Sequence, residues 1–245
     1  MAKNGGDNAT TPRVPVAGIG ASAGGIQALR SFFQALPQKV GVAFVVILHL
    51  DPNHPSELAS VLAQSTHMRV LQVDHRQELE ADTVYVIPPN RRLLISDKFI
   101  ETASFEEPRG QRAPIDQFFR SLAAQHGDGF AIVLSGGGSD GSVGVRAIRE
   151  KGGLILVQDP DEAEYGSMPR SAIASGADFV LPMKQLAAQF AELVRNQAHV
   201  NAQAIEQGSE DLVPQVLAAL RVETGEDFSH YKRATVLRRI RAGCR

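Results

Sequence analysis

Three residue types that together transfer an acyl group each stand just past an apolar, β-branched run. Ser22 follows Val14–Ile19, His49 follows Val42–Leu48, and Asp140 lies in SGGGSDGS after Phe130–Leu134. A hydroxyl is a poor nucleophile until an imidazole takes its proton, and a carboxylate holds that imidazole in the useful tautomer. Ser22 sits in Gly20-Ala21-Ser22-Ala23-Gly24, which fits the G-x-S-x-G nucleophile elbow. The same stretch, VAGIGASAGG, also reads as a phosphate-cradling loop that opens a helix. A dinucleotide site wants an acidic residue at the end of the second strand, about twenty residues past the glycines. Here that strand ends in His49, the spacing Gly18-x-Gly20-x-x-x-Gly24 misses the fingerprint by one residue, and no Walker lysine follows. Spacing favours the elbow and leaves both readings open. Each residue also has a plainer role: Ser22 and Asp140 as helix caps, His49 as a histidine at a strand end. In HLDPNH, the set His49, Asp51 and His54 admits a metal reading. Asp51-Pro52 and Pro55 look instead like turn and helix-start chemistry, and no metal is expected.

The elements that must position these residues alternate. Strand-like runs occur at Val14–Ile19, Val42–Leu48, Thr83–Ile87, Phe130–Leu134, Leu154–Val157 and Phe179–Leu181. Between them lie helical patterns. GIQALRSFFQAL places Ile26, Leu29, Phe33 and Leu36 on one face. PSELASVLAQ begins at Pro55, suited to a first turn. PIDQFFRSLAAQHG and DGSVGVRAIREKGG both run into glycine, as helix ends often do. The expected fold is α/β: a doubly wound, mostly parallel sheet with helices on both faces. TVYVIPPNRRLLIS predicts an antiparallel hairpin across Pro88-Pro89-Asn90. In such a sheet, reactive groups gather beyond the carboxyl ends of the strands, so Ser22, His49 and Asp140 are expected to meet.

Composition narrows the rest. The 245 residues are 43% hydrophobic, enough for a sizeable core, and the net charge of −2 gives no pull toward nucleic acid. The only cysteine is Cys244, so no internal disulfide forms. The N-terminus has no apolar signal region, and the longest apolar run, near Val42 to Leu50, is too short to span a bilayer. A cytoplasmic location without membrane insertion is expected. Four segments are read: a polar arm over 1–13, a catalytic domain over 14–195, a linker over 196–210, and the start of another helical domain over 211–245. The last of these carries six Lys or Arg in its final fourteen residues.

GIGASAGGIQALRSFFQALP resembles the opening of the catalytic domain of the chemotaxis receptor methylesterases, the protein-glutamate methylesterases and glutaminases. The resemblance continues through VVILHLDPNHPSELASVLA, DTVYVIPPNRRLLI, APIDQFFRSLA, AIVLSGGGSDGSVGVRAIREKGG and EYGSMPRSAIASGADFVLP, and covers Val14 to Gln189. It implies Ser22 as nucleophile, His49 as base and Asp140 as its carboxylate. It further implies an oxyanion hole of backbone N–H groups from Ala23 and from Gly136, Gly137 or Gly138, with Arg112 and Arg170 lining the substrate pocket. No metal or organic cofactor is implied. The implied partner is the cytoplasmic region of a methyl-accepting receptor or similar signalling protein, with hydrolysis of glutamyl methyl esters and deamidation of glutamine as the reactions. Two positions depart from the family: Ala23 stands where threonine is usual, and Gly137 where methionine is common. Typical members carry a receiver domain ahead of the esterase; with about a dozen polar residues there, a fused receiver is not expected. TGEDFSHYKRATVLRRI resembles the N-terminal helices of the receptor methyltransferases, which suggests a methylesterase–methyltransferase hybrid truncated at residue 245. Two rival functions follow from the same residues: a catalytically idle signalling adaptor of this fold, and a nucleotide-binding module using the Gly18–Gly25 loop.

Overall fold

The computed structural model describes residues 13 to 206 together with Val236, and side chains in the final helix as far as residue 198. The expected arm up to residue 12 and the expected second helical domain lie outside the described residues, Val236 excepted.

Strand β1 (Val16–Ala21) leads into helix α1 (Gly25–Ala35), then β2 (Ala43–Leu48) and α2 (Leu58–Ala63). Three short strands follow: β3 (Arg69–Gln72), β4 (Gln77–Glu78) and β5 (Thr83–Val86). After β6 (Arg92–Ser96) and β7 (Phe99–Ala103) come α3 (Pro114–Gln125) and β8 (Phe130–Val133). The chain then alternates through α4 (Ser142–Lys151), β9 (Leu154–Gln158), α5 (Ser167–Gly176), β10 (Phe179–Leu181) and α6 (Met183–Glu206). Seven strands form one parallel sheet in the order β10-β9-β8-β1-β2-β5-β3. The chain leaves β1 toward β2 on one side and returns to β8 on the other. β1 is therefore the switch point at which doubly wound sheets carry their sites.

Both faces of the sheet are covered. In β2, Phe44, Val46 and Leu48 pack among α1, α2 and α6, while Ala43, Val45 and Ile47 pack toward α3 and α4. Burial on both faces is why the central strands read as unbroken apolar runs. Gly18 and Gly20 of β1 face α3: a side chain at Gly18 would meet the Phe118 and Phe119 rings, and one at Gly20 would meet Ile115. These glycines let α3 lie close against β1 directly beneath the carboxyl edge.

Four local expectations need correction. The antiparallel hairpin is β6–β7, turning at Asp97-Lys98, and it joins β4 in a separate three-stranded sheet. The run before Pro88 instead belongs to the parallel sheet as β5, because two prolines end its ladder without reversing the chain. In α1 the buried face is Gly25, Ala28, Leu29, Phe32 and Phe33, while Ile26 is 46% exposed. α2 begins at Leu58 rather than Pro55. α3 is capped by His126 rather than glycine, while α4 does end in a left-handed Gly152.

Helix α6 runs unbroken across the expected boundary at 195/196, and buried Gln197 donates to the Asp128 carboxylate at 3.1 Å. Among the described residues, no helix is long and apolar enough to cross a membrane.

Candidate active site

Ser22 occupies the tight turn between β1 and α1. Its backbone N–H donates to the Ser135 carbonyl at 3.0 Å, and its own carbonyl accepts from Gly25 N–H at 2.8 Å. Ser135, fully buried after β8, locks the same turn from below. Its hydroxyl donates to the Ala23 carbonyl at 2.9 Å and accepts from Tyr165 N–H at 3.0 Å. The Ser22 turn is thus fixed from the end of β8, with Gly24 in the left-handed region (φ 69°) completing it.

The three strand-end groups meet. Ser22 Oγ lies 3.0 Å from His49 Nδ1, and His49 Nε2 lies 2.8 Å from Asp140 Oδ2. With Nε2–H donating to Asp140, the Nδ1 lone pair faces the serine hydroxyl, which is the tautomer a general base requires. The Asp140 side chain is 10% exposed and that of His49 is 37% exposed. The carboxylate is therefore shielded while the imidazole opens to the cleft.

Asp140 is held by a helix other than the one it precedes. Its Oδ2 accepts from Ile115 N–H at 3.1 Å, and its Oδ1 accepts from Asp116 N–H at 2.9 Å. Both donors belong to the first turn of α3, whose unpaired amides favour an anion. Asp116 returns the exchange: its Oδ1 accepts from Gly144 N–H at 2.7 Å, in the first turn of α4. Asp140, just before α4, thus caps α3, and Asp116 of α3 caps α4. Burial raises the Asp116 carboxyl above the usual aspartate range, and the nearby Asp140 charge adds to the rise. Sequence reading missed Asp116 and Ser135, because a side chain that bonds a backbone group twenty or more residues away leaves no local pattern.

Of the backbone N–H groups named as oxyanion candidates, those of Ala23 and Gly137 have no partner among the described residues. The other two candidates are occupied: Gly136 N–H donates to the Tyr165 carbonyl at 2.9 Å, and Gly138 N–H to Ser167 Oγ at 3.1 Å. Gly136 is also the tightest position in the loop, since a Cβ there would fall 2.5 Å from Met168 Cε. A side chain at Gly137 would meet open space.

Next to His49 lies a cavity of about 290 Å³, bounded by the loops after β2, β5 and β7. Arg112 lines it, together with Arg91 and Arg109, which sequence reading did not single out. Arg170 is elsewhere: it stands on α5, 3.2 Å from Asp161, and is not among the residues lining this cavity.

The alternatives of phosphate and metal fare poorly against this geometry. At the start of α1, where a phosphate would sit, the Glu164 carboxylate crowds Gly24: a Cβ there would lie 2.8 Å from Glu164 Oε2. A carboxylate in that position repels a phosphate. Asp51 pairs with His54 at 2.9 Å, while His49 turns to Ser22 and Asp140. Among the described residues no three His, Cys, Asp or Glu side chains gather as a metal site.

A doubly wound sheet with serine, histidine and aspartate relayed along its carboxyl edge is the build of a hydrolase. The chain belongs to the CheB methylesterase family, which matches it over residues 17–190. It is 35% identical over 181 residues to a Leptospira interrogans protein named as a protein-glutamate methylesterase/protein-glutamine glutaminase, covering 73% of this chain and 94% of that one. It is 30% identical over 197 residues to the protein-glutamate methylesterase/protein-glutamine glutaminase of the group 3 operon of Rhizobium meliloti. That match covers 78% of this chain and 56% of the relative. Its fold superimposes on the crystal structure of the Thermotoga maritima CheB methylesterase catalytic domain with a TM-score of 0.69 at 24% identity, over 74% of this chain and all of that one.

Proposed function

We propose that this chain hydrolyses glutamyl methyl esters on a chemoreceptor-type signalling protein, using Ser22 as nucleophile, His49 as general base and Asp140 as its carboxylate. The observation that carries the reading is the continuous relay from Ser22 Oγ to His49 Nδ1 at 3.0 Å and from His49 Nε2 to Asp140 at 2.8 Å. Ser22 Oγ attacks the ester carbonyl carbon as His49 Nδ1 takes the hydroxyl proton. The carbonyl oxygen, now negative, receives hydrogen bonds from the free Ala23 and Gly137 N–H groups, where fixed donors act most strongly on developing charge. His49 then gives its proton to the methoxy oxygen; methanol leaves and the glutamyl group remains as an ester on Ser22. Water attacks that ester with His49 again as base, releasing glutamate and restoring the serine.

Because the oxyanion donors are backbone groups, Ala23 in place of threonine and Gly137 in place of methionine keep both of them. A glutamine side chain presents the same carbonyl with ammonia as leaving group, so deamidation follows from the same machinery. The Leptospira and Rhizobium relatives, whose names join the two activities, support both.

The test is release of labelled methanol from methylated receptor cytoplasmic fragments. The wild-type chain is expected to release it and Ser22→Ala is not. Undiminished release by Ser22→Ala would end the reading. A serine-directed fluorophosphonate that labels wild type but not Ser22→Ala would separate this enzyme from an idle adaptor of the same fold.

A further inference from the structure

The cavity beside His49 has an unusual charge balance. Three guanidinium groups line it, Arg91, Arg109 and Arg112, and no carboxylate does. Each is held by a neutral acceptor. Arg91 donates to Ser104 Oγ at 2.8 Å and Arg109 to Asn53 Oδ1 at 3.1 Å. Arg112 donates to Asn90 Oδ1 at 2.7 Å and to the Glu107 carbonyl at 3.1 Å. Its guanidinium also lies 4.6 Å over the Phe105 ring, which fixes the plane of the group. None of the three forms an ion pair among the described residues. Arg92, next in sequence to Arg91, pairs with Glu106 at 2.9 Å, and Arg13, Arg69, Arg76 and Arg170 pair likewise. Five described arginines are thus paired, whereas three that are not gather in one cavity that shares His49 with the relay. Like charges gathered without counter-charge repel, and a guanidinium fork matches a carboxylate through two parallel hydrogen bonds.

We infer that this cavity is a carboxylate-binding subsite, which seats acidic side chains lying one helical turn from the ester on a helical stretch of the substrate protein. The inference rests on the methylesterase reading and adds the substrate feature that the enzyme selects. Residues three or four apart on a helix are neighbours, with about 5–6 Å between Cβ atoms. His49 both lines the cavity and lies 3.0 Å from Ser22 Oγ, so the cavity is the neighbouring place for the next side chain along the same helix face. Leu48, Ile87 and Phe105 add apolar surface to the lining, against which the methylene stems of an acidic side chain can pack. The same arrangement makes the product, a new glutamate, attractive to the subsite when the neighbouring site is the next to be processed.

The experiment uses the full chain carrying Ser22→Ala, which binds without turnover. The probes are two fluorescent helical peptides, each with one glutamyl methyl ester. One has glutamates, the other glutamines, three and four residues to either side. Fluorescence anisotropy should give about tenfold tighter binding of the glutamate peptide, with the difference shrinking as salt rises. Arg91→Gln and Arg109→Gln are the first variants, since each loses only one neutral partner and keeps its fold by melting temperature. Each should weaken the glutamate peptide about fivefold and leave the glutamine peptide unchanged; the double variant should erase the discrimination. Equal affinity for the two peptides, or full discrimination retained in the double variant, overturns the subsite. Methanol release by the Ser22 chain is measured in parallel. Arginine-dependent binding without hydrolysis would overturn the methylesterase reading and leave the subsite standing.

Discussion

Ser22 stands at the end of β1, the central strand, with parallel neighbours on both sides, whereas Arg91, Arg109 and Arg112 ride on loops that leave the sheet after β5 and rejoin the main fold only at α3. The first region is tied mainly through the backbone: Ser22 N–H to the Ser135 carbonyl and Gly136 N–H to the Tyr165 carbonyl, with the Ser135 hydroxyl donating to the Ala23 carbonyl. The second is tied by side chains of Asn53, Asn90 and Ser104, which can let go without unravelling a ladder. Reaction geometry tolerates little displacement, so it sits on strand ends that packing fixes from both faces. Recognition of a partner needs charge in roughly the right place, and loops provide that. α3 joins the two regions. The segment before Pro114 carries Arg109 and Arg112, and the first turn of α3 holds Asp140.

The sharpest way to break the contrast is at the relay. His49→Ala should remove nearly all methanol release, and Asp140→Asn should lower kcat by about 10³–10⁴-fold, because the amide no longer fixes the base tautomer. Melting temperatures should stay near that of the wild type in His49→Ala, whose ring is part-exposed. A kcat within a few-fold of wild type in Asp140→Asn would remove the carboxylate from the mechanism.

The glycine loop gives the next largest effect. Gly136→Val collides with Met168, and Gly138→Val must hold a branched side chain at φ 79°. Each should lower kcat by about 10²-fold, comparable to losing one oxyanion donor. Gly137→Val has open space and should stay within about tenfold. Equal tolerance of valine at all three positions would remove the loop from the mechanism.

Smaller effects lie in the pH dependence of stability. His126, at the end of α3, is buried with its Nε2 2.8 Å from the Asp97 carbonyl, and burial holds its pKa below the ordinary histidine value of 6.5. The unfolded chain then takes up a proton that the folded chain resists, so stability should fall as pH drops below that value. A His126→Gln variant should show a flatter melting temperature over that range; an unchanged slope would remove His126 as its source.

Asp116 runs the other way. Its raised pKa means that the folded chain keeps the proton longer, so wild-type stability should decline relative to Asp116→Asn as pH rises through the window above 3.8. Parallel melting curves for the two proteins across that window would show that Asp116 is not strained by its neighbour. The shift is expected to be the smallest of these effects, since Asp116 keeps its Gly144 bond at either end of the window.

Reading the sequence identified the strands that bear Ser22, His49 and Asp140, and that was sufficient to bring the three residues together. The reason is geometric: in a parallel sheet, every carboxyl end lies on one edge, so a polar residue just past each apolar run needs no long-range information to be placed. The short strands β3, β4 and β7 were not legible, because two to five residues at a sheet border carry too little periodicity to stand out. The hairpin was misplaced for a related reason: Pro88-Pro89-Asn90 signals a break, and a break does not say whether the chain turns back or leaves for another sheet.

What the sequence determined by itself is therefore the class of fold, the family resemblance and which three strand-end residues meet. What tertiary structure decided is everything that depends on a contact across the fold. It showed that Gly137 rather than Gly136 or Gly138 has a free amide, that Ser135 pins the turn at Ser22, and that Asp140 and Asp116 bind first-turn amides of α3 and α4 respectively. It also showed that Arg112 shares a cavity with Arg91 and Arg109 while Arg170 is bound to Asp161. Apolar periodicity is written along the chain because burial repeats with each turn or pleat. The pairing of one hydrogen-bond donor with one acceptor, or of one arginine with one carboxylate, depends on which distant loop arrives within about 3 Å, and only the packed fold sets that distance.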